Sequence, residues 1–143
     1  MVVTGGVDHP RHVVQYNVTD GSARRLPDLL TGRWDHGCTR LTDGLLVAGG
    51  GWTGSPGRSA EMYETSSDTW REVGQLNIAR TGLAITVLGE KILAMGGAVG
   101  YGQYNSSVEQ FSRETMTWNM TNELRQARAF HAVTNVPAAL VRC

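Results

Sequence analysis

A surplus of charge of either sign is missing from this chain: 13 Lys and Arg balance 13 Asp and Glu over 143 residues, with no basic block. Without such a block there is no counterion-release term to drive binding to nucleic acid or to a charged membrane surface, so neither partner is expected. Long apolar runs are missing too, and none approaches the roughly 18 residues of a membrane span. The first ten residues, MVVTGGVDHP, have neither the basic start nor the apolar core of a secretory signal. The compartment stays open between cytoplasmic and extracellular. No window of about 11 residues or more carries the 3.6-residue apolar period of an amphipathic helix, so helices beyond a turn are not expected. Nor is there a nucleophile–base pairing, a phosphate-cradling loop or a spaced carboxylate pair. The chain is not expected to be an enzyme, and it calls for no cofactor.

Glycine is what the chain has in excess: 18 residues, about an eighth of the total against a usual ~7%. The glycines do not form flexible tracts; they come as doublets that close short apolar runs. Gly5-Gly6, Gly49-Gly50 and Gly96-Gly97 recur at spacings of 44 and 47. An aromatic follows each doublet (Tyr16, Tyr63, Phe111), then an arginine (Arg33, Arg80, Arg128). Trp70 and Trp118 lie seven residues past the aromatic in the second and third copies, where the first copy has Ala23. The aromatic-to-Arg distance is 17 residues in all three copies, whereas the doublet-to-aromatic distance is 11, 14 and 15. Length varies only in that one segment, as expected of a solvent-exposed connection on one face.

Each copy reads as four short strands. Residues 83–88 (LAITVL) and 92–95 (ILAM) are apolar runs joined by Gly89-Glu90-Lys91, a hairpin pattern. Residues 108–111 (VEQF) and 116–120 (MTWNM) read as half-exposed outer strands. The rings are suited to filling space between tilted sheets, and the arginine to tying one sheet to its neighbour through backbone carbonyls.

A Gly doublet ending strand two, an aromatic in strand three, a Trp in strand four and an Arg before strand one together resemble the kelch repeat. The resemblance is best over 80–128 and weakest in the first copy, where Val14 stands in the place of Glu61 and Glu109. It implies an all-β, kelch-type β-propeller of about three four-stranded blades, part of a larger six-bladed ring. The repeats run approximately 1–35, 36–82 and 83–130, with a closing strand at 131–136 that Pro137 ends. Since three blades do not close a ring, the chain is expected to be a fragment of a longer protein, the alternative being a dimer that pools two sets of three.

The resemblance further implies a non-catalytic scaffold that presents loops to a protein partner, with a substrate adaptor of a ubiquitin ligase as its more specific form. Alternatives are an extracellular kelch module and, more remotely, a copper oxidase related to galactose oxidase, whose Tyr–Cys and His constellation is not matched here. The variable segments 7–12, 51–58 and 98–107 carry the candidate partner-binding residues His9, Arg11, Trp52, Arg58, Tyr101 and Tyr104. Asn17, Asn105 and Asn119 open N-x-Ser/Thr sequons. No metal site is expected, despite the cluster Asp8-His9-Pro10-Arg11-His12. Cys38 aligns with Ile85 and Val133, and His36 with Leu83 and His131, so a buried free thiol and a structural inner-strand histidine are expected. A Cys38–Cys143 disulfide is the alternative for the thiol.

Overall fold

A computed structural model describes residues 1–51 and 57–136 of the chain. The named elements among the described residues are strands, grouped into successive sheets. β1 (Val2–Thr4), β2 (Val13–Tyr16) and β3 (Ala23–Leu26) form a three-stranded sheet in sequence order. β4 (Gly37–Leu41), β5 (Gly44–Ala48), β6 (Ala60–Glu64) and β7 (Thr69–Val73) form a four-stranded antiparallel meander. The third sheet repeats it with β8 (Ala84–Leu88), β9 (Lys91–Met95), β12 (Ser107–Ser112) and β13 (Thr117–Glu123). Between β9 and β12 a small ladder, β10 (Ala98–Gly100) with β11 (Gln103–Tyr104), fills a stretch read from sequence as an exposed connection. Apart from the closing strand expected at 131–136, the expected strands thus stand within a residue or two of their observed bounds, except that β13 runs three residues further.

The doublets act as the pattern demands. Gly49 and Gly50 have φ of 69° and 91°, a left-handed pair that side chains resist, and a Cβ on Gly49 would lie 2.7 Å from the Arg80 carbonyl oxygen. The first glycine of each doublet donates back across its own sheet: Gly5 to His12, Gly49 to Ser59, Gly96 to Ser107. The second donates forward to the arginine of the next connection, Gly6 to Arg33, Gly50 to Arg80 and Gly97 to Arg128, at 2.8–3.0 Å.

The apolar core lies between sheets. Tyr63 and Trp70 of the second sheet pack with Val13 and Leu26 of the first and with Leu29 of the connection after it; Phe111 and Trp118 of the third pack with Leu46, Met62 and Val73 of the second and with Leu76 of the connection after it. In each aromatic pair the rings tilt by 44° at centroid distances of 5.3 and 5.0 Å. β4 lies beside β8, so the first strands of successive sheets are neighbours. Tyr16 in the first copy has no such partner sheet and is 38% exposed.

Two expectations about the inner strands need correction. Cys38 is exposed, not buried. Its counterpart Ile85 is covered because it packs under Gly37 of the preceding sheet, whereas the first sheet begins at strand two and offers nothing equivalent. The thiol is nonetheless crowded, and that desolvation pushes its pKa up, partly offset by a hydrogen bond with Thr4. Cys143, its alternative disulfide partner, lies outside the described residues. Residues 131–136 carry no strand. Asn135 Nδ2 donates to the Val87 carbonyl at 2.6 Å, beside β8.

Candidate functional site

Two buried polar clasps join the sheets, and their geometry decides which residues are free for anything else. Arg33 enters the second sheet fully buried. Its Nη1 donates to the carbonyls of Gly49 (2.7 Å) and Ser59 (3.0 Å), and its Nη2 donates to Ser59 Oγ (2.9 Å) and Glu61 Oε1 (2.6 Å). Glu61, equally buried, accepts from the backbone amides of Leu30 and Thr31 at 2.6 and 2.9 Å. The same unit recurs 47 residues on. Arg80 donates to the carbonyls of Gly96 and Ser107, to Ser107 Oγ and to Glu109 at 2.7–3.0 Å. Glu109 accepts from the amides of Asn77 (2.7 Å) and Ile78 (3.3 Å) and from Asn77 Nδ2 (2.9 Å). Burial pulls the Arg80 pKa below its usual value, and Glu109 works in the opposite direction.

The expected role of the arginine, a tie through backbone carbonyls, is therefore half of the device. The other half is the strand-three glutamate, which satisfies both the cation and two amides of the preceding connection. Its recurrence at Glu61 and Glu109 was the available signal. His36 stands immediately before β4 and not within the inner strand, in a structural place: it packs on Gly5, as Leu83 does on Gly49 and His131 on Gly96. Its Nε2 lies 2.7 Å from Thr4 Oγ1, and burial, with Arg33 nearby, lowers its pKa to about 4.

The loop candidates divide into two kinds. Arg11 and Arg58 are exposed, yet each Nε donates to the corresponding leucine carbonyl, Leu29 at 2.6 Å and Leu76 at 2.9 Å, so both also brace the repeat. His9 is exposed and stacks on His12 at 4.4 Å. Tyr101 and Tyr104 belong to the β10–β11 hairpin and are 96% and 57% exposed. Trp52 lies outside the described residues. Among the described residues no hydrogen bond or ring contact joins the 7–12 loop to the hairpin, and no three His, Cys, Asp or Glu side chains are grouped to hold a metal. Of the sequon asparagines, Asn17 and Asn119 are exposed, whereas Nδ2 of Asn105 is buried and its Oδ1 accepts from the Ser107 amide. Separately, a groove of about 910 Å³ runs between the first and second sheets, lined by Met1, Val2, Cys38, Arg40 and Tyr63 among others.

Sheets of three or four antiparallel strands, joined by doublet glycines, inter-sheet indoles and Arg–Glu clasps, define an array of propeller blades. The third copy is a kelch repeat by comparison as well as by pattern: the family model described as Kelch motif matches residues 79–125. Human kelch-like protein 15 is 32% identical over 60 residues, 42% of this chain and 10% of that protein. Mouse kelch-like protein 35 is 28% identical over 119 residues, 82% of this chain and 21% of that protein. Alpha-scruin of Limulus polyphemus is 30% identical over 67 residues, 47% of this chain and 7% of that protein. The chain thus spans a small part of the length of these relatives.

Proposed function

We propose that this chain is a non-catalytic protein-interaction scaffold whose Gly-doublet loops contact a protein partner. The observation that carries the reading is the β10–β11 hairpin, which holds Val99, Tyr101 and Tyr104 at 44%, 96% and 57% exposure. Framework aromatics of the second and third copies are buried between sheets; these two rings do no such work. Tyr combines large contact area with a polar handle and few rotatable bonds, the properties enriched where partners bind. Segments 7–12 and 98–107 follow equivalent Gly doublets of the first and third copies, which supports a shared binding face. A more specific reading, a substrate adaptor of a ubiquitin ligase, rests on the kelch resemblance.

The test is quantitative partner capture with the parent chain and a Trp52→Ala/Arg58→Ala/Tyr101→Ala/Tyr104→Ala variant. At least one specific partner should be lost, with single changes weakening binding by about 1–3 kcal/mol. Unaltered capture by the combined variant contradicts the reading. Exposure of the sequons at Asn17 and Asn119 favours a second reading, an extracellular kelch module. Expression through a secretory pathway should then yield a glycosidase-sensitive mass increase, removed by Asn17→Gln/Asn119→Gln.

A further inference from the structure

The turn between β12 and β13 carries a thioether where the repeat's other copies carry none. Five residues past the ring position the backbone is left-handed in all three copies, at Gly21 (φ 73°), Asp68 (55°) and Met116 (55°). Glycine enters that region freely and aspartate readily; a long apolar side chain seldom does. The preceding sheet holds Met116 in place. Its carbonyl accepts from the Gly74 amide at 3.1 Å, an approach open only because Gly74 has no Cβ, which would lie 2.1 Å from that oxygen. Arg113 of the same turn pairs with Asp43, between β4 and β5. The thioether is half-buried against the core shared by the second and third sheets, and Nη1 of Arg71 on β7 donates to its Sδ at 3.8 Å. Nε of the same guanidinium is paired with Glu64 at 2.5 Å, which fixes its direction.

We propose that Met116 is a site of reversible oxidation whose sulfoxide oxygen is received by Arg71. A thioether sulfur is a weak acceptor, so a guanidinium N–H aimed at one is under-used; a sulfoxide oxygen takes the same donor far more strongly. The oxidant is hydrogen peroxide. A lone pair on Sδ attacks one peroxide oxygen, the O–O bond breaks as the S–O bond forms, and the transferred oxygen's proton passes to the leaving hydroxide, which departs as water. Sulfur loses two electrons and the peroxide gains them. Oxidising a methionine packed on a core ordinarily strands a polar group there and loosens the packing. At Met116 the donor is already in position. Among the described residues no other methionine sulfur receives a hydrogen bond: Met62 is 2% exposed within the core, and Met1 and Met120 are exposed.

The test uses the full chain with Met95→Leu and Met120→Leu, treated with hydrogen peroxide under native conditions. Peptide mass spectrometry should find Met116 oxidised while Met62 stays reduced until urea is added, and a pair of methionine sulfoxide reductases should reverse the change. Oxidation should leave Tm unchanged or raise it. In an Arg71→Leu version the same oxidation should lower Tm by about 4 °C relative to that variant's own reduced form, and Arg71→Lys, which keeps an N–H donor, should restore most of the loss. Comparing each variant with its own reduced form separates the sulfoxide's partner from any general weakening by the substitution. Met1, oxidised alike in every version, cancels. A second measurement needs no oxidant. Met116→Gln, which places an amide oxygen beside Arg71, should melt no lower than Met116→Leu in the parent and about 4 °C lower than it in Arg71→Leu. Met116 still reduced when Met62 begins to oxidise, oxidation that the reductases do not reverse, or equal Tm changes in the parent and in Arg71→Leu overturns the proposal. So does a Met116→Gln variant whose Tm relative to Met116→Leu is indifferent to Arg71.

Discussion

Glu109→Ala isolates the clasp from everything around it. The carboxylate takes one charge-assisted bond from Arg80 at 2.7 Å and accepts from the amides of Asn77 and Ile78, all within a buried site. Its removal leaves a guanidinium that is 1% exposed as a residue with no counter-charge, and two amides with no acceptor. Breaking a buried pair from one side costs about 3–5 kcal/mol, a large share of the roughly 5–15 kcal/mol that holds an ordinary domain together. For a chain of this length that corresponds to a fall in Tm on the order of 10 °C. Replacing both partners, as in Arg80→Leu/Glu109→Leu, removes the stranded charge and should cost less than the two single changes summed, with a coupling of about 1–3 kcal/mol. Urea denaturation followed by tryptophan fluorescence gives each value. A loss below about 1 kcal/mol for Glu109→Ala, or strict additivity of the pair, refutes the reasoning.

Three further outcomes are expected. Trp70→Ala and Trp118→Ala should each cost about 3–5 kcal/mol in the same assay; because Trp70 Nε1 donates to the Pro27 carbonyl at 2.9 Å while the buried Trp118 Nε1 has no partner among the described residues, Trp70→Phe should be the costlier of the two Phe variants by about 1 kcal/mol. His36, with a folded pKa of about 4 against an ordinary 6.5, binds fewer protons folded than unfolded, so its contribution is complete above pH 6.5 and is lost as pH falls toward 4; His36→Gln should flatten stability across that window, and an unchanged slope between pH 6.5 and 4.5 contradicts the assignment. In a Cys143→Ser background, Cys38 should react with a small alkylating reagent under native conditions, slowly because its thiol pKa is raised; modification only after unfolding would restore the buried reading.

The repeat was legible because it writes itself into residue types that have few other uses at such spacings. Gly doublets, indoles and arginines in register specified four strands per unit, and the rings at 63, 70, 111 and 118 fall between sheets as their size and apolarity require. The carboxylate half of the clasp was harder to read. Glu61 and Glu109 look like ordinary charges on half-exposed strands, and their amide partners lie about 30 residues upstream, where sequence says nothing of acceptors. The hairpin at 98–104 escaped for a different reason: Gly100 and Gly102 erase the alternation that would announce two short strands. Exposure at Cys38 depends on a covering strand that the first sheet does not contain, and no property of Cys38 itself encodes that.

Amide hydrogen exchange on the unmodified chain tests the central claim, that Arg–Glu clasps couple successive sheets, more directly than any substitution. The amides of Leu30, Thr31, Asn77 and Ile78 should exchange slowly, at rates approaching those of the strands they tie together, while the equivalent amides of Arg125 and Gln126 exchange as exposed backbone. Six amides exchanging alike, whether all fast or all slow, would contradict it.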